Sequence, residues 1–283
     1  DNNSTWMNVY ALTIDPVSQN IVYAGMAGSA GIIKSINAGA TWTATGAGPS
    51  STVRKILIHP TTPNIVFAAA PNGIWRSTNA GTSWTQVHTG SKEDIEFKPG
   101  DMNIMYASGN DVYRSTDNGI NWTLVSAAQG ITNIGRTLVS VSAANPNVVY
   151  AVQASGSLFG RMYKSTDAGL TFITTVVGNP ASGTNYFGYP SSGTGTSGQA
   201  TYDMGMDVSP TNADDVYIAG IICWRSVNGG TSFTPLTEWF LPNSLGYNHA
   251  DVHGLYWINS TLYSLSDGGI YKSTDNGDNW TDL

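Results

Sequence analysis

Six copies of one eight-residue pattern constrain this chain more than anything else in it. The clearest is Ser115-Thr-Asp-Asn-Gly-Ile-Asn-Trp122, and the others begin at Ser35, Ser77, Ser165, Ser226 and Ser273. The shared form is Ser-x-Asp/Asn-x-Gly-x-x-aromatic. Asp or Asn in the third place can bond its side chain to backbone N–H groups further along and close a turn. Gly in the fifth place can take a positive φ that a side chain would oppose. The aromatic in the eighth opens the next strand and buries a large apolar surface. A cation precedes every Ser: Lys34, Arg76, Arg114, Lys164, Arg225 and Lys272. The pattern reads as a hairpin turn with a cation at a fixed place, which is a structural device before it is a functional one.

Each copy closes a longer repeat. In residues 53–88, a strand ends at Pro60 and a second begins near Asn64. A third runs from Gly73 into the box, and a fourth starts at Trp84. These runs are rich in β-branched and aromatic residues and are separated by Pro, Asn and Gly. Four antiparallel strands in about 40–50 residues is the period of a propeller blade. The Ser positions advance by 42, 38, 50, 61 and 47 residues, so no gap is wide enough to hide a blade without a box. The reading is an all-β, six-bladed β-propeller of four-stranded antiparallel blades, with each box between strands three and four. The blades fall at approximately 1–45, 46–88, 89–125, 126–176, 177–236 and 237–283, in one domain. Six blades closing a ring by side-chain packing, and an incomplete ring with blades elsewhere in a longer polypeptide, both fit.

Composition narrows the function classes. The net charge is −7, and half of the twelve Lys and Arg residues are tied to the boxes. No basic stripe remains to displace counterions, so a nucleic-acid partner is not expected. No run of 18 apolar residues suggests a membrane-spanning helix. The single cysteine, Cys223, lies between Ile222 and Trp224 and reads as a buried, inert thiol. Only 11% of residues are charged, which fits an extracellular or cell-surface setting. The chain begins at Asp1 without a leader segment, which a secreted protein would already have lost.

On the six boxes, the chain resembles the Asp-box (BNR) repeat propellers of sialidases, sortilin-type receptors and xyloglucanase-type glycosidases. It is also similar to secreted propeller proteins of Bacteroidetes. The resemblance covers the whole chain and implies the fold. It leaves function open, because catalytic and non-catalytic propellers share the motif. It further implies that the boxes lie on the face opposite any active site. A sialidase would need three arginines on a carboxylate and a Tyr–Glu pair. Only Arg54, Arg136 and Arg161 are free of the boxes and suitably placed, and the Arg-Ile-Pro motif is missing. Xyloglucanase-type enzymes use a cleft between two propellers with one carboxylate from each.

The rim opposite the boxes is where the repeat breaks down. One long connection, from about Thr175 to Thr201, carries Tyr186, Phe187 and Tyr189 among Gly and Ser. Another, from about Thr234 to His249, carries Glu238, Trp239, Phe240 and Tyr247. Tyr186, Tyr189, Trp239 and Tyr247 are candidate ligand-binding residues, suited to stacking on sugar rings; packing of the loops onto the blades is the alternative. The second loop delivers His249, Asp251 and His253, which would share one face of an extended strand. They read as ligand contacts, a hydrogen-bond network or, if any metal binds, its ligands; no cofactor is otherwise implied. Asp203 enters blade 5 at a similar height to Asp251. Two carboxylates across a gap of about 6.5–9.5 Å could hydrolyse a glycosidic bond, with Asp207 as runner-up to Asp203. Asp15 reads as a turn residue.

Three functions follow as expectations. The first is a recognition propeller for a glycan or surface protein. The second is a glycoside hydrolase using Asp203 and Asp251, and the third is a structural module of a larger adhesin, with further domains in the polypeptide.

Overall fold

A computed structural model describes residues 8–125, 127–240 and 246–283. It contains six four-stranded antiparallel sheets, each made of strands consecutive in sequence. They span residues 9–44, 55–89, 94–125, 137–177, 205–235 and 252–282. This is an all-β, six-bladed propeller fold. The described residues contain only three-residue 3-10 turns as helix. The chain divides into two compact units, residues 1–97 with 101–124, and residues 98–100 with 125–283. Blades 1–3 lie in the first and blades 4–6 in the second.

Every box sits between the third and fourth strands of its blade. In the third copy the Ser115 hydroxyl donates to Asp117 Oδ1 (2.8 Å) and accepts from the Gly119 N–H (3.0 Å). Asp117 also accepts from the backbone of Ile120 and Asn121 and from the Asn121 side chain. Burial pushes the Asp117 carboxyl up, but the Asn121, Ser115 and Ile120 donors together hold it below the usual range. In the sixth copy the Asn279 side chain leads the donors that lower Asp275. The fourth position is left-handed as well as the fifth. Ala38, Ala80, Asn118, Ala168 and Asn276 all have φ between 54° and 63°. Three of these are alanines, which gain no local side-chain bond in return for that strain. The N–H of this residue supplies the return: Ala38, Ala80, Asn118 and Ala168 donate to carbonyls of Asn20, Asn64, Asn103 and Asn147, at the start of strand two.

The cation before each box has a partner directly across the sheet. The pairs are Tyr23 with Lys34, Phe67 with Arg76, Tyr106 with Arg114, Tyr150 with Lys164, Tyr217 with Arg225 and Tyr263 with Lys272. In four of them the cation sits 5.1–5.8 Å from the ring centroid. In blade 5 both members bond Asp215 of their own blade, whereas in blades 1, 2 and 4 the pair grips the following blade. Tyr23 Oη and Lys34 Nζ both donate to the Ala80 carbonyl in the box of blade 2. Arg76 Nε donates to the Asn118 carbonyl in the box of blade 3. Tyr150 Oη reaches the Ala213 carbonyl, and Lys164 the Asp214 carboxylate at 2.6 Å, both in blade 5. Burial, reinforced by Asp15, raises the Tyr23 phenol to about 12.

Apolar packing fills the same seams. Ile56 and Ile58 of blade 2 pack with Tyr23 and Ile32 of blade 1. Ile95 of blade 3 packs on Phe67 and Ile74, Met206 and Val208 of blade 5 on Tyr150 and Met162, and Leu255 of blade 6 on Tyr217 and Cys223. The box glycine lies in the seam too. A Cβ on Gly119, whose φ is +69°, would come within 2.4 Å of Phe67 Cε1.

Gly119→Ala is expected to destabilise the first unit by about 1–3 kcal/mol through this overlap, beyond the cost of its positive φ. Gly28→Ala is the control in the same unit: φ is +60° and nothing lies within 4 Å of the new Cβ. Urea unfolding should show a markedly smaller loss for the control.

Candidate functional site

The two long connections behave differently from one another. The first, leading into blade 5, is an ordered plug. Asn185, fully buried, accepts from the Phe159 N–H and donates to the carbonyls of Gly195 and Ser197. Tyr186 is 4% exposed and packs against Phe159, Trp224 and Phe233, with Phe187 buried beside it. Tyr186 is therefore corrected from a ligand-binding candidate to a core residue. Its ring buries more apolar surface against blades 4 and 5 than a rim position would.

Tyr189 stays outside. Its ring lies 6.3 Å from Trp239, edge to face, and Trp239 lies 5.3 Å from Phe240. All three are substantially exposed. Residues from two connections thus converge on one aromatic shelf, to which Phe240 adds a ring beyond the predicted set. Behind the shelf, Thr237–Glu238 pairs in parallel with Gly246–Tyr247, an element the sequence did not signal. Tyr247 is half-buried and meets Tyr271 of blade 6 edge-on at 6.2 Å.

His249, Asp251 and His253 do not form a row. Asp251 has a φ of 62°, and the register shifts between Val252 and Gly254. A turn followed by an irregularity breaks the period of two on which the expectation rested. The His249 ring lies against Gly268, and its Nδ1 is 3.0 Å from the Ala250 carbonyl. His253 Nε2 meets Asp267 Oδ1 at 2.8 Å, and Tyr202 Oη donates to Asp267 Oδ2 at 3.2 Å. The Asp267 charge, more than its slight burial, raises the Tyr202 phenol. Among the described residues no group of three His, Cys, Asp or Glu side chains could hold a metal.

Asp251 lies close enough to Asp203 for its charge to act on it. Gln199 Nε2 donates to Asp251 Oδ1 at 2.9 Å. Asp203 is fully buried, and no other side chain donates to either of its oxygens. With no hydrogen-bond partner for either oxygen among the described residues, burial leaves the ionised form unsupported and favours the protonated one. Burial is the chief cause of an Asp203 pKa raised to about 7, opposed by its own backbone N–H. The Asp251 charge raises it further and Arg136 lowers it. Arg136 also holds the turn in place, donating from Nη1 to the carbonyls of Ala200 and Tyr202. Asp203 is thus a buried carboxyl that favours its protonated form, while Asp251 is only part-buried.

The remaining candidates are structural. Asp207 accepts from Ser140 of blade 4, from the Val208 N–H and from the Trp257 N–H of blade 6. Asp15 closes its turn by accepting from Val17 and Ser18. Arg54 pairs with Glu93 at 3.5 Å. Cys223 is buried, and desolvation pushes its thiol up to about 12.

Residues 113–124 match the BNR/Asp-box repeat. The chain is a six-bladed β-propeller that carries this repeat. Solved structures agree on the fold of this propeller. An ancestral GH74 enzyme aligns over 98% of the chain with a TM-score of 0.71 and 19% identity, covering 39% of that enzyme. The GH74 enzyme of Niastella koreensis aligns over 99% with a TM-score of 0.68 and 22% identity, covering 47%. The GH74 xyloglucanase of Xanthomonas campestris aligns over 99% with a TM-score of 0.68 and 15% identity, covering 48%. At these identities the likeness is one of fold, and the propeller spans less than half of each enzyme. No curated protein sequence matches it.

The Asp203 carboxyl binds a proton more tightly in the fold than in the unfolded chain, where 3.8 is its ordinary value. Its contribution to stability is thus complete below about pH 4 and is lost as pH rises through about 7. Asp203→Asn, whose amide can still donate to Asp251, lacks this titration. Thermal unfolding from pH 4 to 8 should show the wild type losing ground to the variant as pH rises.

Proposed function

We propose that this propeller is a recognition module of the cell surface or extracellular space, binding a glycan on the shelf of Tyr189, Trp239 and Phe240. The observation that carries the reading is the exposure of three touching aromatic rings brought together from two separate connections. Large apolar rings left in water favour a ligand with flat apolar faces of its own, as a pyranose has. Polar groups for sugar hydroxyls stand on the same connections and on the loop leading into blade 6: Gln199, Asp251, Tyr202 and His253. The likeness in fold to GH74 enzymes, one of them a xyloglucanase, supports a β-glucan as the first class to try.

Titration calorimetry with xyloglucan oligosaccharides and a wider glycan panel tests this. Trp239→Ala and Tyr189→Ala should each weaken binding about tenfold or more, ~1.4 kcal/mol, while Tyr186→Phe leaves it unchanged. Equal affinity in wild type and Trp239→Ala would refute the placement.

A hydrolytic reading has one observation in its favour, the raised pKa of Asp203 beside the part-exposed Asp251. In that reading Asp251 faces substrate, Asp203 holds the proton behind it, and the opposing carboxylate comes from outside this chain. Reducing-sugar release from xyloglucan by the isolated chain is therefore expected to be absent. Release abolished by Asp251→Asn would favour the hydrolase over the binding module.

A further inference from the structure

One turn of the second unit gathers more acceptors than donors. The Gln199 carbonyl accepts from the N–H groups of Tyr202 and Asp203, and the Gln199 side chain donates to Asp251 Oδ1. Arg136 clamps the same turn through the carbonyls of Ala200 and Tyr202. Three carboxyls act on the Tyr202 phenol and raise it: Asp267 first, which it bonds, then, after its slight burial, Asp251 and Asp203. Against them stands the Arg136 guanidinium, whose charge reaches Asp203.

The three carboxyls differ in what they still lack. Asp267 is engaged on both oxygens, by His253 and Tyr202. Asp251 has a donor on Oδ1, and among the described residues none reaches Oδ2. Both oxygens of the fully buried Asp203 are without a partner among the described residues. A sugar hydroxyl brings one hydrogen and no charge to such a place. An ammonium brings three N–H donors and a full positive charge, and its bonds to carboxylate are about twice as strong as neutral ones. It also supplies the charge that burial denies Asp203, so that the second carboxyl can ionise behind the first. The Tyr202 ring, 56% exposed, offers a face on which a cation is attracted as well.

We propose that Asp251, with Tyr202 beside it and Asp203 behind it, seats the ammonium group of an amino sugar. The glycan so recognised is a β-linked glucosamine polymer, which keeps the flat pyranose faces of a β-glucan and adds free amines. This rests on the reading of the aromatic shelf as a glycan site, and names the chemistry of the polar groups that accompany it.

Titration calorimetry at about pH 6, where amines are charged, compares a β-linked glucosamine tetramer with its N-acetylated counterpart and with cellotetraose. The free-amine tetramer is expected to bind about tenfold or more tightly than either neutral one. Asp251→Asn should bring the three affinities together. Asparagine tolerates the positive φ of residue 251, and the N-acetyl comparison needs no variant at all. Equal affinity for the amino and neutral tetramers, or a preference that survives Asp251→Asn, overturns the ammonium seat and leaves the shelf standing. A preference that Asp251→Asn removes, in a protein whose binding is indifferent to Trp239→Ala, upholds the seat and refutes the shelf. No binding of the free-amine tetramer overturns the seat outright.

Discussion

A cation and an aromatic ring, facing each other across two strands, hold the following blade by the least flexible part of its turn. The carbonyl they grip in blades 2 and 3 belongs to the left-handed fourth residue of the box. That residue's N–H is meanwhile tied to the start of strand two in its own blade. One peptide segment therefore registers a blade against itself and against its neighbour. The strained alanines at this position are stable because both sides constrain them. The glycine that follows must lack a side chain for two reasons, its positive φ and the ring pressed against it.

The rim opposite this fastening is built by other rules. Buried carboxyls are normally charge-paired or amply hydrogen-bonded. Asp203 has neither: its oxygens are without a partner among the described residues, the Asp251 charge opposes its ionisation, and Arg136 donates to backbone carbonyls. Protonation is the cheapest way to bury it, while the Gln199–Asp251 bond joins the connection that leads into blade 5 to the one that leads into blade 6.

The fold was legible because its signals are local and repeated. Ser115, Asp117, Gly119 and Trp122 act within eight residues, and six copies average out the ambiguity of any one. Strand order set Asp203 and Asp251 at similar heights in adjacent blades, and the Asp251 charge does act on Asp203. Two misreadings had specific causes. Tyr186 and Tyr189 are three residues apart among the same small polar neighbours, and only the hollow between Phe159, Trp224 and Phe233 separates core from rim. The row of His249, Asp251 and His253 assumed an unbroken strand, and no residue type there announces the positive φ at Asp251. The cation before each Ser was visible from the start. Its aromatic partner was not, because the two are distant in sequence and meet only through register.

The grip has a direction: blades 1, 2 and 4 each hold the blade after them. Matching halves on these repeats mean that a whole repeat can be inserted or removed without creating a mismatched seam, whereas loss of part of one would leave a mismatch on each side. Blade number in such proteins is then free to drift in units of one complete repeat, and the surviving variety accumulates on the rim, where no seam constrains it.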